Sequence, residues 1–295
     1  VRTDSVAHAP HVYLVSIGVS EFSDRQYNLS YASKDATDLG RLFGADNAFS
    51  GVTPIVLTDV AATKENIRAC RESLRKSSVD DVVIIFVATH GLFDDALNYY
   101  LATTDVDFTY PSDRGLSYDE LEQLFDDVAA RKRLLLIDAC HSGQVDKEEV
   151  LLAASTLEKQ SGVTSRGFKT VVSKHRASFA LKSSFELMQE LFSDLENGNG
   201  IVAISSASGR EFAYESSEWK NGVFTYALLE GLRTKSADLN RDGRVSVSEL
   251  KEYVTRRVQQ LTNGKQTPTS RRENLENDFI IDSYEPAANQ ISKHR

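Results

Sequence analysis

Cys140 and His90 are the two side chains whose neighbours in this sequence best suit them to covalent chemistry. Cys140 stands in residues 131–143, RKRLLLIDACHSG, where the apolar run 134–137 reads as a strand buried on both faces. The run stops abruptly at Asp138, Ala139, Cys140, His141, Ser142 and Gly143. Open α/β sheets bind ligands at the carboxyl ends of their strands, so a cysteine there meets substrate rather than core. A free thiol, with a pKa of about 8.5, is mostly protonated at neutral pH and needs an activating neighbour. His90 offers one, at the end of a second run of the same design: residues 81–91, DVVIIFVATHG, hold the strand 82–87 and then a small polar step. With one helical crossover between them, the two strands are expected to be sheet neighbours that bring imidazole and thiol to one rim. Such a pair would attack a carbonyl through sulfur, protonate the leaving amine and activate the water that hydrolyses the acyl-enzyme. The oxyanion formed on the way needs fixed donors, and the backbone N–H groups of Gly91 and Cys140 are the natural pair. His141 is the rival base. Adjacent strand residues face opposite sides, which leaves it a supporting role.

These motifs, THG after one apolar strand and DACHSG after the next, resemble the caspase-like cysteine peptidases of the C14 type. The nearer likeness is to the metacaspase, paracaspase and bacterial caspase-homologue branch, and it extends over residues 11–281. It implies an α/β fold of the caspase-hemoglobinase type, with a mostly parallel six-stranded sheet and helices on both faces. In that family the histidine acts chiefly as acid, and how activation divides between His90 and the surroundings of Cys140 stays open.

Asp138 precedes Cys140 by two residues and so shares its strand face. A carboxylate there favours Lys or Arg at the substrate's P1 position, where the animal caspases carry a neutral Gln and cut after Asp. By resemblance to metacaspases a second acid comes from the region after the first strand, where Asp35 stands; its other reading is a first-turn acid complementing the helix dipole. Ser205, Ser206 and Ala207, after a later strand, are expected to line the cleft and hydrogen-bond an extended substrate, and Glu211 and Glu215 to add acidity. An independent motif, DLNRDGRVSVSE at 238–249, follows the calcium-loop pattern. Asp238, Asn240, Asp242, the Arg244 carbonyl, Ser246 and Glu249 would ligate, and Gly243 would make the turn. The same residues also suit a loop whose Asp, Asn and Gly only cap and turn. With no second such motif to pair with, a structural Ca²⁺ is expected, and the peptidase chemistry itself requires no cofactor.

The elements that must position these groups alternate. Strands are expected at 11–20, 53–58, 82–87, 98–104, 134–137, 200–207 and 277–282, and helices at 33–43, 63–76, 117–129, 222–233 and 247–261. Thr63 reads as an N-cap, and Ser117 with Glu120 as a capping box. This order gives a tail or linker at 1–10 and a peptidase domain at 11–282, with large-subunit-like 11–143 and small-subunit-like 200–282. A disordered tail is expected at 283–295. Between the halves lies the polar, helix-biased segment 144–199. Within it, 177–195 suits an amphipathic helix. By resemblance the segment is the inter-subunit linker, which some members cut, and Arg166, Lys169, Lys174 and Arg176 are candidate processing sites; its other reading is an uncut surface insertion.

The 295 residues, 41% of them hydrophobic, suffice for a substantial core. A net charge of −9 disfavours nucleic acid and anionic membrane as partners and suits a cationic one. Expected partners are proteins with exposed Arg or Lys and an activating protease or upstream regulator. Two cysteines build no disulfide framework, and nothing resembles a membrane span or signal peptide, so a cytoplasmic setting is expected. Cys70 reads as a packing residue. The missing initiator methionine implies processing or a fragment. The alternative to a peptidase is a binding module of the same fold with a structural calcium site.

Overall fold

The computed structural model describes residues 9–45, 49–94, 96, 98–141, 163–165, 200–207, 213–270 and 278–284, with the backbone alone at 140, 141 and 163–165. In chain order, β1 (His11–Gly18) leads through α1 (Ala32–Gly44), β2 (Gly51–Thr58), α2 (Lys64–Ala69) and α3 (Arg71–Leu74) to β3 (Val82–Phe93). Then come β4 (Tyr99–Leu101), α4 (Pro111–Arg114), β5 (Leu116–Ser117), α5 (Tyr118–Glu122) and β6 (Lys132–His141). β7 (Val163–Ser165) is followed by β8 (Ile201–Ser205), β9 (Tyr214–Ser216), β10 (Asn221–Gly222) and α6 (Val223–Arg233). The chain closes with β11 (Arg244–Ser246), α7 (Val247–Leu261), β12 (Thr269–Ser270) and β13 (Ile280–Ser283).

Unbroken apolar sequence makes the two central strands. Residues 82–88 are at most 2% exposed, because β3 is covered on both faces and flanked by β1 and β6. The sheet order is β12-β8-β6-β3-β1-β2, all parallel except β12. β2 lies at the edge, which is where Pro54, with no N–H to donate, is tolerated. The chain places β2 on one side of β1 and then crosses to put β3 on the other, so a topological switch point opens at the carboxyl ends of β1 and β3. On one face, α1, α6 and α7 pack over Leu14, Ile84, Phe86, Leu134 and Leu136. On the other, Ile67, Leu74 and Leu121 of α2, α3 and α5 cover Val15, Ile85, Leu135 and Ile137. α1 lies close on the end of β1: a Cβ on Gly18 would stand 2.2 Å from the Ala32 carbonyl oxygen. That approach carries Asp35 to the rim of the sheet.

Several expectations need correction. The sheet has eight strands rather than six, because β3 runs on past its parallel region to pair antiparallel with β4, which pairs with β5. The expected final strand joins β11 in a separate two-stranded sheet, not the main one. Ser283 ends that strand and the Tyr284 N–H bonds to the Gly243 carbonyl at 2.8 Å, so order extends past the expected start of the tail; 285–295 lie outside the described residues. The stretch 208–219, expected to be loop, contains β9, too short to show a period. Helix 63–76 divides at Cys70, where the chain tightens into an i→i+3 turn, and Thr63 caps its start. The Ser117–Glu120 capping box forms, but the helix narrows to a 3₁₀ turn by Phe125, and Asp127 adopts φ 59°. The expected helix 177–195 and the processing candidates Arg166, Lys169, Lys174 and Arg176 lie outside the described residues.

Candidate active site

The parallel pairing of β3 with β6 makes His90 and Cys140 register partners, with Ala88 opposite Asp138 and Gly91 opposite His141. Adjacent strands lie about 4.8 Å apart. His90 is 5% exposed, and its Nε2 is 2.7 Å from the Tyr27 carbonyl oxygen. A carbonyl only accepts, so Nε2 carries the proton and the tautomer is set. The ring lies between Phe22, with centroids 5.3 Å apart, and Phe108, at 5.9 Å; Phe108 in turn sits 3.8 Å from the Tyr27 ring. An imidazole gripped in this way has one orientation.

Tyr27 is brought there by a braced loop. Asp59, at φ 46° just past β2, accepts hydrogen bonds from the N–H groups of Ser20 (2.8 Å) and Glu21 (2.9 Å) and from the Ser33 hydroxyl. Leu29 N–H closes back on the Ser20 carbonyl, Phe22 N–H on the Asn28 side chain, and Asp24 caps the 3₁₀ turn Arg25–Tyr27. Sequence reasoning missed Tyr27, Phe22, Phe108 and Asp59. Only Asp59, an acid directly after a strand and ahead of the 63–76 helix, left any trace.

The acids expected at the specificity site converge on the start of α6. Asp35, fully buried, accepts from the Asn221 side chain (2.8 Å) and from Gly222 N–H (3.1 and 3.2 Å), and so caps a helix that has no side-chain cap of its own. Asp138, also fully buried, accepts from the Thr225 hydroxyl at 2.7 Å, one turn further on. Both carboxylates thus meet the first turn of α6. Glu215 of β9, 4% exposed, accepts from Ser30 N–H at 2.9 Å; Glu211 lies outside the described residues.

Other predicted residues fall elsewhere. Ser205, Ser206 and Ala207 are fully buried and bond the protein itself. Ser206 N–H donates to the Ile137 carbonyl and its hydroxyl to that of Ala139, while Gln266 Nε2 donates to the Ser206 carbonyl at 2.7 Å. Ser206 thus braces the end of β6, beside which β8 runs, while the Ser205 hydroxyl donates to the Ala207 carbonyl. Gly91 stays extended within β3, between Leu101 and His141, and makes no left-handed turn. Cys70 is packed in the core, and burial pushes its thiol up to about 11, which keeps it inert.

In the loop 238–249, flanked by α6 and α7, the expected ligand atoms are engaged with the chain itself. Asp238 accepts from Gly243 N–H (2.9 Å), Asp242 N–H (3.2 Å) and the Tyr284 hydroxyl (2.6 Å). Asn240 accepts from Asp242 N–H and Asp242 from Arg244 N–H. Glu249 forms a capping box with Ser246 and accepts from Leu239 and Asn240 N–H. Gly243 supplies φ 85° at the turn. Among the described residues no three acidic, His or Cys side chains are grouped to hold a metal ion. Asp238, Asn240, Asp242, Ser246 and Glu249 thus each cap or turn the loop.

A doubly wound, mostly parallel α/β domain with a histidine and a cysteine in register at the ends of its two central strands is an architecture of the caspase-hemoglobinase kind. The caspase domain of the C14 peptidases matches residues 13–280, and the chain belongs to that family of cysteine peptidases. Among solved structures, protein GSU0716 from Geobacter sulfurreducens is similar in fold, with a TM-score of 0.58 and 18% identity over 94% of this chain and 96% of that one. No curated protein matches. Among the described residues no helix is long and apolar enough to cross a membrane.

Proposed function

We propose that the protein is a cysteine endopeptidase cutting after Arg or Lys, with Cys140 as nucleophile and His90 as proton carrier. The observation that supports this most directly is the His90–Cys140 register, since register partners in a parallel sheet present their side chains to the same face. Cys140 sulfur attacks the substrate carbonyl, the oxyanion rests on the N–H groups of Gly91 and Cys140, and His90 protonates the leaving amine. Water activated by the same imidazole then hydrolyses the thioester. The Tyr27 carbonyl holds Nε2–H, which assigns proton exchange to Nδ1. Asp35 and Asp138 place two carboxylates behind the reacting rim, where a cationic P1 side chain is attracted and an acidic one repelled. Protein substrates with exposed Arg or Lys and a reducing, cytoplasmic setting fit a reactive thiol.

Hydrolysis of an Arg-P1 fluorogenic peptide tests the reading. Wild type should turn it over and be labelled at Cys140 by an Arg-chloromethylketone, while Cys140→Ala and His90→Ala lose both. Equal turnover by Cys140→Ala, or preference for Asp at P1, would overturn it, and absence of His90-dependent labelling would mark a binding module instead.

Calcium at 238–249 is proposed on its residue pattern alone, with a structural role; an ion there must displace the N–H donors already on Glu249. Calorimetric titration with Ca²⁺ should give a one-site isotherm that Glu249→Gln abolishes. No heat at millimolar Ca²⁺ would remove calcium from the account.

A further inference from the structure

The rings around His90 are not all core. Phe22, 5% exposed, packs beside the imidazole and is buried like any interior side chain. Tyr27 and Phe108 differ: their rings stack with centroids 3.8 Å apart and 33° between planes, yet each is only half-buried, so part of the pair stays open to solvent beside the reacting rim. The stack is built in advance. Residues 102–110, which carry Phe108, are clasped to the segment between β1 and α1, which carries Tyr27. Ser23 N–H donates to the Thr104 carbonyl (3.0 Å), the Thr104 hydroxyl to the Glu21 carbonyl (2.9 Å) and Thr104 N–H to the Ala62 carbonyl (3.2 Å). Val106 anchors the stretch in the core, and Asp107 accepts from Thr109 N–H at 2.8 Å, so Phe108 is held between a buried side chain and a turn. The rim of the stack is acidic: burial and the charges of Asp24 and Asp107 push the Tyr27 phenol up.

We propose that the Tyr27–Phe108 stack is the subsite for P1′, the residue directly after the bond that is cut, and that it selects an aromatic or long apolar side chain there. This rests on the peptidase reading above and adds a second specificity to the one for a basic P1. His90 gives its proton to the leaving amine, so in the reacting complex that nitrogen lies about 3 Å from the imidazole. The amine belongs to P1′, whose side chain branches one carbon further on, within reach of a Phe108 ring whose centroid is 5.9 Å from that of His90. The P1 side chain is drawn the other way, toward Asp35 and Asp138 at the start of α6. A ring at P1′ can therefore meet the stack edge-on or offset while the basic residue fills the acidic site. Because the two clasped stretches hold the stack before substrate arrives, little ordering opposes the contact. An aromatic contact of this kind corresponds to about 2- to 10-fold in kcat/KM. A carboxylate at P1′ meets Asp24 and Asp107 and is repelled.

Internally quenched peptides that share Arg at P1 and carry Phe, Leu, Gly or Asp at P1′ provide the test, with the full chain as enzyme. The Phe and Leu peptides should be cut faster than the Gly peptide and the Asp peptide slowest, with Phe about 2- to 10-fold above Gly in kcat/KM. Phe108→Ala should bring the Phe-to-Gly ratio close to one, and Phe108→Leu should restore part of it. Both peptides meet the same enzyme, so any disturbance of the imidazole cancels from the ratio. A second measurement needs no variant. With an Arg ester as acyl donor, phenylalaninamide should divert more of the acyl-enzyme into peptide than glycinamide at equal free-amine concentration. The added amine attacks the thioester carbonyl carbon, the C–S bond breaks, and the proton lost by the amine passes through His90 to the departing sulfur. A wild type that cuts the Phe and Gly peptides equally or prefers Gly, equal diversion by the two amides, or a Phe-to-Gly ratio that Phe108→Ala leaves unchanged overturns this proposal alone. A wild type that cuts none of the peptides overturns the peptidase reading with it.

Discussion

At the scale of the residue, the orientation of His90 depends on a group no motif contains. Its ring nitrogen is held by a backbone carbonyl, and that carbonyl is placed by the loop that Asp59 ties to the end of β1. Asp59→Ala removes an acceptor shared by three donors, so Tyr27 should drift and kcat for an Arg-P1 peptide fall by about 10- to 100-fold with little change in KM. Asp59→Asn should recover most of the loss, since an amide oxygen still accepts and asparagine tolerates the positive φ. Equal damage in both variants, or a loss confined to KM, would rule out this positioning role. The contrast shows what was readable. The register of Cys140 with His90 could be read because each stands at the end of an apolar run. Tyr27 could not, because it contributes a carbonyl, which every residue has. The bond of Ser206 to β6 was unreadable for a related reason: a hydroxyl after a strand serves a neighbouring strand as well as it serves a substrate.

Among the elements, the strands written in continuous apolar residues were legible, and those of two or three residues were not. β3 and β6 stand out in the sequence, whereas β9, β10 and β12 exist only because longer elements hold them. Helices α6 and α7 show how such holding works. Glu230 of α6 accepts from Arg257 Nε (2.6 Å) and Nη2 (3.0 Å), from the Tyr253 hydroxyl (2.9 Å) and from that of Tyr226 (3.1 Å). The Arg257 hydrogen bonds, opposed by burial and helped by the tyrosines, keep its carboxyl below the usual value, and burial with the Glu230 bond pushes Tyr253 up to about 12. A carboxyl whose pKa falls on folding contributes stability above its unfolded value, about 4.3, and loses it as pH drops through the folded one. Glu230→Gln should therefore lower stability at pH 7 by about 1–2 kcal/mol, and the deficit should shrink below about pH 4. Urea melts at pH 7 and pH 3.5 measure both. A deficit that stays constant across that range would mean that shape rather than charge sets it.

For the whole molecule, the segment between β6 and β8 joins two halves that do not fold as two bodies. β6 belongs to the first half and β8 to the second, yet they pair in parallel from Arg133↔Ile201 to Ile137↔Ser205. One core cluster takes Leu14, Phe86 and Leu134 from the first half and Phe224, Leu228 and Val254 from the second. Asp35 and Asp138 of the first half cap and bond α6 of the second. Each large side chain in that shared core contributes about 1.5–3 kcal/mol to keeping the halves together. A cut anywhere in the connecting segment should then leave one particle. Nicked protein should elute from gel filtration with the uncut chain of 32.7 kDa and separate only in denaturant. Phe224→Ala sharpens the test, since it removes about 3–5 kcal/mol from the shared core. In the uncut chain that loss appears only as a lower melting temperature, because the halves stay covalently joined. After nicking it acts on a bimolecular equilibrium, so the variant's fragments should dissociate on dilution at concentrations where nicked wild type stays whole. Fragments of nicked wild type that part in native buffer would show that the shared core does not hold the halves, and that the connecting segment does.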